Sequence, residues 1–138
     1  MSLPVSPTVK SLIGAPYRSR GRSPQEGFDC LGLVEYVLRE EHAIHLPGYL
    51  GCYTDAAVDN SAIIELRRIA DGWITVPFGQ HQPGDIVLFN MGGTARHMGA
   101  VVGGDLFIHA LEGRDTCIES LNSLLWRKRV AGFYRYCA

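Results

Sequence analysis

The stretch GFDCLGLVEYVLREE, residues 27–41, places a cysteine between an aspartate and the first turn of an amphipathic segment. From Cys30 onward Leu33, Val34, Val37 and Leu38 recur at helical spacing while Glu35, Arg39 and Glu40 fall elsewhere on the surface, so the pattern predicts a helix buried along one face. Its first residue is a thiol. A helix N-terminus offers unpaired backbone N–H groups and the positive end of the helix dipole, both of which favour a thiolate. What the sulfur does therefore depends on what the rest of the chain brings to it.

Around this helix the chain reads as α+β. Ser6-Pro7 ahead of TVKSLI, with Gly14 after it, predicts a short first helix. Residues 15–29 are rich in Gly, Pro, Ser and Arg and read as an ordered loop or substrate-facing arm. Residues 42–58 carry too many turn formers to prolong the helix, and another helix is expected from about Asn60 to Ala70, stopped at Asp71-Gly72. After that the period changes. WITVP, DIVLFN, HMGAVV, DLFIHAL, TCIE and VAGFYRYC are short, rich in β-branched and aromatic residues and separated by turn formers, the pattern of an antiparallel sheet. Helices first and strands afterwards imply N-terminal helices packed on a central sheet, and 138 residues with 46% hydrophobic content suffice for one domain over 1–138.

Thirteen Lys and Arg against fourteen Asp and Glu give a net charge of −1, with no basic run to capture nucleic acid or a membrane surface. The opening MSLPVSPTVKSLIG lacks the charged leader and apolar run of a signal peptide, so the expectation is synthesis in the cytoplasm without one. Cys30, Cys52, Cys117 and Cys137 form no CxxC pair and read as free thiols rather than a disulfide framework or zinc knuckle.

The stretch RHMGAVVGGDLFIHA, residues 96–110, holds the partners for the thiol. Gly103-Gly104 lies between two strand-like runs and should turn a hairpin. A two-residue loop of Gly103 and Gly104 would put His97 and His109 on opposite faces. A three-residue loop of Val102, Gly103 and Gly104, with Gly104 left-handed, pairs Val101 with Asp105 and sets the histidines directly opposite each other. Apolarity favours the second, since it gathers Met98, Ala100, Leu106 and Ile108 as core and leaves His97, Gly99, Phe107 and His109 on the other face. The bare Gly99 would leave room for another element, expected to be the start of the Cys30 helix.

Together these residues can perform nucleophilic catalysis. Cys30 attacks, His97 takes its proton and returns it to a leaving amine, His109 orients the imidazole, and N–H groups of the helix start hold the oxyanion. The other cysteines and His42, His45 and His81 read as structural or surface residues. Zinc on Cys30, His97 and His109 is conceivable by ligand type, but three ligands are one short of a closed structural site and a thiolate–imidazole pair is explanation enough, so no metal or cofactor is expected.

At these residues the chain resembles the NlpC/P60 cysteine peptidases, a papain-like α+β family. PYRSRGRSPQEGFDCLGLV is similar to the family's PY segment with FDCSGLV, QPGDIVLF to its PGD strand, and HMGAVVGGDLFIHA to its histidine hairpin, in the same order and with the same twelve-residue step from His97 to His109. The resemblance implies Cys30 as nucleophile, His97 as base and His109 as third residue. It implies cleavage of bacterial cell-wall stem peptides, typically at a γ-D-glutamyl to diamino-acid bond. Tyr17 matches a tyrosine that lines the family's active site, or it anchors its loop. Asp29 either binds a substrate amine or starts the helix. Asp85 reads as part of the Pro83-Gly84 turn and Arg96 as an exposed strand-end residue. Leu31 replaces the family's common serine, which bears on recognition of the peptide's N-terminal end. The 66 residues between Cys30 and His97 exceed those of compact members, and the extra length is expected around 42–60, where it could roof the cleft. GRSPQEGFDC, the LPGY of that insertion and the closing RVAGFYRY look most like members from tailed phages and prophages, which implies wall hydrolysis or assembly at a phage tail, with other tail proteins as partners. An amidase or acyltransferase on the same scaffold, and a tail module without activity, are the alternative readings.

Overall fold

The computed structural model describes residues 5–53, 64–65 and 67–137. Helix α1 is short, Pro7–Lys10, capped by the Ser6 hydroxyl accepting from the Val9 N–H. The loop that follows is partly strand: β1 (Arg22–Ser23) and β2 (Gly27–Phe28) form a small antiparallel pair leading into α2 (Cys30–His42). Asp29 caps α2 through a bond from the Gly32 N–H, and Ala43 in the left-handed region closes it with its own N–H on Arg39. A 3-10 turn follows at Leu50–Cys52. Of the helix expected over Asn60–Ala70, residues 64, 65 and 67–70 are helical, and 60–63 and 66 lie outside the described residues.

Six strands complete the chain: β3 (Ile74–Val76), β4 (Ile86–Met91), β5 (Thr94–Gly103), β6 (Leu106–His109), β7 (Cys117–Ser120) and β8 (Val130–Arg135). They pair antiparallel in the order β3-β8-β4-β5-β6-β7, so the last strand returns to the middle of the sheet beside β4. Helix α2 packs on β5 and β6. Its Leu33, Val34, Val37 and Leu38 share a core with Ile86, Leu88, Met98, Ala100 and Ile108. The opposite face is also filled: Val87, Phe89, Val101, Phe107, Trp126 and Phe133 form a second apolar cluster. Burial on both faces is why DIVLF reads as a continuous apolar run rather than an alternating one.

The β5–β6 hairpin takes neither expected register. Gly103 pairs with Leu106, a bulge intervenes at Val102, and Val101 and Ala100 then pair with Phe107 and Ile108. Gly104, at φ +54, supplies the left-handed turn residue. The bulge restores the parity that the tight turn would have reversed, so His97 and His109 share a face. Continued one step, however, the register sets Gly99 across from His109, and His97 lies on the diagonal. Of the expected core set, Met98, Ala100 and Ile108 are buried and Leu106 is half-buried.

Close approach explains Gly32 in the first turn of α2. A Cβ there would lie 2.0 Å from the Gly21 carbonyl oxygen and 2.6 Å from Arg22 Nη1, whereas nothing lies within 4 Å of one at Gly51. Gly32→Ala should cost about 2 kcal/mol or more by forcing backbone apart, and Gly51→Ala should cost much less. Equal urea midpoints for the two variants would show that the approach to the helix start is not tight.

Candidate active site

Cys30 is the first residue of α2 and only 2% exposed, within the core cluster that holds Met98, Ala100 and Ile108. The helix start is fixed by Asp29. This carboxylate is fully buried and accepts from the Gly32 N–H (2.7 Å), the Arg20 N–H (2.8 Å), Arg22 Nη1 (3.1 Å) and the Tyr53 hydroxyl. Burial, and Asp29 beside it, push the Tyr53 hydroxyl upward, so it stays a donor. Arg22 also pairs with Glu35 at 2.7 Å, which draws Glu35 out of the exposed face assigned to it by periodicity. Four protein donors on a fully buried carboxylate are the geometry of the helix-start role for Asp29, the second of the two its position allowed, and leave it no exposed oxygen for a substrate amine.

Arg20 also donates to the Leu50 and Tyr53 carbonyls. The segment after α2 is thus latched to the cap of the cysteine helix, at least through residue 53; residues 54–60 of the expected insertion lie outside the described residues. Tyr17 is half-buried, bridges to Phe28 and packs at the edge of the helix-side core. Asp85 is buried in the turn before β4, where it accepts from the Gln82 N–H and forms a two-pronged pair with Arg135 at 2.7 and 2.9 Å. That is a structural role.

The two histidines meet. His97 Nε2 lies 2.8 Å from His109 Nδ1, and His109 Nε2 lies 2.6 Å from Glu119 Oε2 on β7. Both rings are buried among Phe89, Phe107 and Trp126, with Trp126 edge-on to His109 at 4.8 Å. Gly99 makes this possible: a Cβ there would come within 3.0 Å of the Phe107 ring and 3.3 Å of His109 Cβ. The room beside Gly99 is taken by the neighbouring strand rather than by α2, which corrects the expectation from sequence. The bond between His97 Nε2 and His109 Nδ1 satisfies one nitrogen of each ring.

The chain of bonds sets the protons. Burial alone would raise the Glu119 carboxyl, but the bond from His109 and the nearby positive charge hold it below its ordinary value, so it is ionised at neutral pH and can only accept. His109 Nε2 must then carry its proton, leaving Nδ1 bare in the neutral ring, and His97 Nε2 must donate to it. The nitrogen left on His97 is a bare Nδ1, a free base. Burial, with His109 beside it, pushes His97 down to about 3, and burial lowers His109 against the opposing pull of Glu119.

Glu119 was not singled out by sequence. Its position two residues from Cys117 puts both on one face, and Cys117 pairs directly with His109, but the seven residues from 110 to 116 hide that register from the sequence. The donor atoms of His109, Cys117 and Glu119 lie within 4.8 Å of one another, making them the group able to hold a metal ion among the described residues.

The fold and this centre define a papain-like α+β class, with a cysteine at a helix start and a histidine pair on the sheet. The match to the NlpC/P60 family model spans residues 14–135, and the chain belongs to that family. It is 32% identical over 116 residues to the Escherichia coli (strain K12) murein DD-endopeptidase MepS/murein LD-carboxypeptidase, covering 84% of this chain and 53% of that protein. It is 32% identical over 136 residues to the gamma-DL-glutamyl hydrolase of Bacillus subtilis (strain 168), covering 97% of this chain and 29% of that one. The chain thus spans about half or less of these relatives. A crystal structure of an NlpC/P60 family protein from Bacillus cereus superimposes with a TM-score of 0.66 at 23% identity, over 99% of this chain and 42% of the other.

The depressed His97 value has a consequence for stability. Its folded pKa lies below the ordinary 6.5, so as pH falls through 6.5 the unfolded chain takes up a proton that the folded one refuses, and stability is lost from there down toward about 3. The urea midpoint should fall between about pH 7 and about pH 5, and fall less in His97→Gln. An unchanged pH slope in that variant would show that His97 is not held neutral.

Proposed function

We propose that this chain is a single catalytic domain, a cysteine peptidase that hydrolyses peptidoglycan stem peptides at a γ-D-glutamyl to diamino-acid bond. The observation that carries the reading is the His97–His109–Glu119 chain, which leaves a neutral, oriented imidazole with one bare nitrogen. Membership of the NlpC/P60 family supports the reaction, and the names of the murein endopeptidase and gamma-DL-glutamyl hydrolase relatives support the substrate class.

In this mechanism His97 Nδ1 takes the proton of the Cys30 thiol as the sulfur attacks the scissile carbonyl carbon. His109 holds the ring through Nε2, and Glu119 holds His109; these two are positioning residues. Asp29 already occupies the Gly32 N–H with its side chain and the Leu33 N–H with its carbonyl, so the oxyanion role narrows to donors on the N-terminal side of Gly32. Collapse of the tetrahedral intermediate breaks the C–N bond, and the amine leaves with the proton from His97. Water then attacks the thioester, gives a proton to His97, and frees the new carboxylate and Cys30. Tyr17 is assigned to the substrate-facing wall. Resemblance of GRSPQEGFDC, LPGY and RVAGFYRY to phage members supports a place in a phage or prophage tail, acting at the wall.

Incubation of the purified chain and Cys30→Ala with defined muropeptides, followed by mass spectrometry, tests this. The parent should add one water across the γ-D-glutamyl to diamino-acid bond, and Cys30→Ala should yield no product. Identical products from both would remove the cysteine mechanism. No product from either would favour a tail-structural role.

A further inference from the structure

The outer end of the histidine chain carries a group the peptidase chemistry does not use. Cys117 stands directly across from His109 on the β6–β7 ladder, and Glu119, two residues on, shares its face. Cys117 Sγ lies 3.6 Å from His109 Nε2 and 3.6 Å from Glu119 Oε2. With bond lengths of about 2.3 Å to sulfur and about 2.0–2.2 Å to nitrogen and oxygen, a tetrahedral zinc ion sets such donors roughly 3.3–3.6 Å apart. Two sides of the donor triangle already have that length. The third, His109 to Glu119 at 2.6 Å, needs to open by only a fraction of an ångström.

The chemistry and access of the group agree with this geometry. Thiolate, imidazole and carboxylate together select a borderline divalent ion of the zinc type over calcium or magnesium. Cys117 and Glu119 are half-buried and reachable, whereas the His109 side chain is sealed beneath them. Arg114 lies over the same two groups, 3.8 Å from Cys117 Sγ and 3.7 Å from Glu119, with 48% of its side chain exposed. A half-exposed guanidinium already sits beside the donors, with solvent open to its other side.

We propose that His109 Nε2, Cys117 Sγ and Glu119 Oε2 form a zinc-type inhibitory site, with water as the fourth ligand. The proton balance gives the consequence. Cys117 releases its thiol proton to solvent, and the ion binds the thiolate. His109 releases its Nε2 proton to solvent as that nitrogen binds the ion. Its Nδ1 takes over the proton of His97 Nε2 and donates back to that nitrogen, and His97 Nδ1 takes up one proton from solvent in exchange. His97 must then hold its own proton on Nδ1. The two neutral rings keep two protons between them, but the bare nitrogen that serves Cys30 is gone. Binding of the ion stands on the geometry alone, while inhibition rests on the peptidase reading.

The test uses the intact chain and two probes. Cobalt(II) should bind with one-to-one stoichiometry and give a thiolate-to-metal absorption band, which Cys117→Ser and Cys117→Ala should both lose. Zinc should inhibit muropeptide hydrolysis, and in each variant, measured against its own zinc-free rate, the half-inhibiting concentration should rise at least about 10-fold. No cobalt–thiolate band, or a band that survives in both variants, would overturn the site. A band lost as expected with unchanged zinc sensitivity would overturn the inhibition. If the parent hydrolyses no muropeptide, the cobalt experiment still decides the site separately from the function.

Discussion

Glu119 can only accept a hydrogen bond, and because its oxygen lies 2.6 Å from His109 Nε2, the proton positions of both buried imidazoles follow from it. Without that carboxylate the pair His97–His109 has two equivalent arrangements, one with the bare nitrogen of His97 facing outward and one with it turned to His109. With it, one remains. The constraint is transmitted through a 2.8 Å contact inside an apolar, aromatic enclosure, where an unpaired imidazole nitrogen would be costly. The sheet exists, for this purpose, to hold three adjacent strands in the register that lines the residues up.

A second carboxylate, this one fully buried, does the corresponding work for the start of the Cys30 helix. Removing a charge from water costs several kcal/mol unless it is fully bonded. Asp29 meets that requirement with donors from the first turn of α2, from the loop at residues 20–22 and from Tyr53 beyond the helix. These segments are separated in sequence, and the charge can be satisfied only when they converge, so the same network that folds the arm also fixes the direction of the Cys30 helix. Gly32 and Gly21 allow the backbones to close around it.

Much of this was legible in the amino-acid pattern. The helix from Cys30, all six strands of the main sheet and the shared face of the histidines follow from periodicity and turn residues. The exact hairpin register does not, because a bulge at Val102 changes the count by one without changing which residues are apolar. The small β1–β2 pair was hidden in a loop composition dominated by Arg, Ser and Gly. Phe89, Phe107 and Trp126 gave no sign that the histidine face is itself a core, since an apolar strand residue looks the same whichever layer covers it. Glu119 carries no signal in the pattern because its partner lies across a seven-residue connection, and the cap role of Asp29 depends on Tyr53, a distant residue that completes its shell.

The direction of the proton chain is directly measurable. Long-range proton–nitrogen correlation spectra of the chain, labelled with nitrogen-15 in its histidines and recorded near neutral pH, report which nitrogen of each ring is protonated. The account predicts a protonated Nε2 and a bare Nδ1 on both His97 and His109. A proton on Nδ1 of His109, or a positively charged ring at either position, would contradict it.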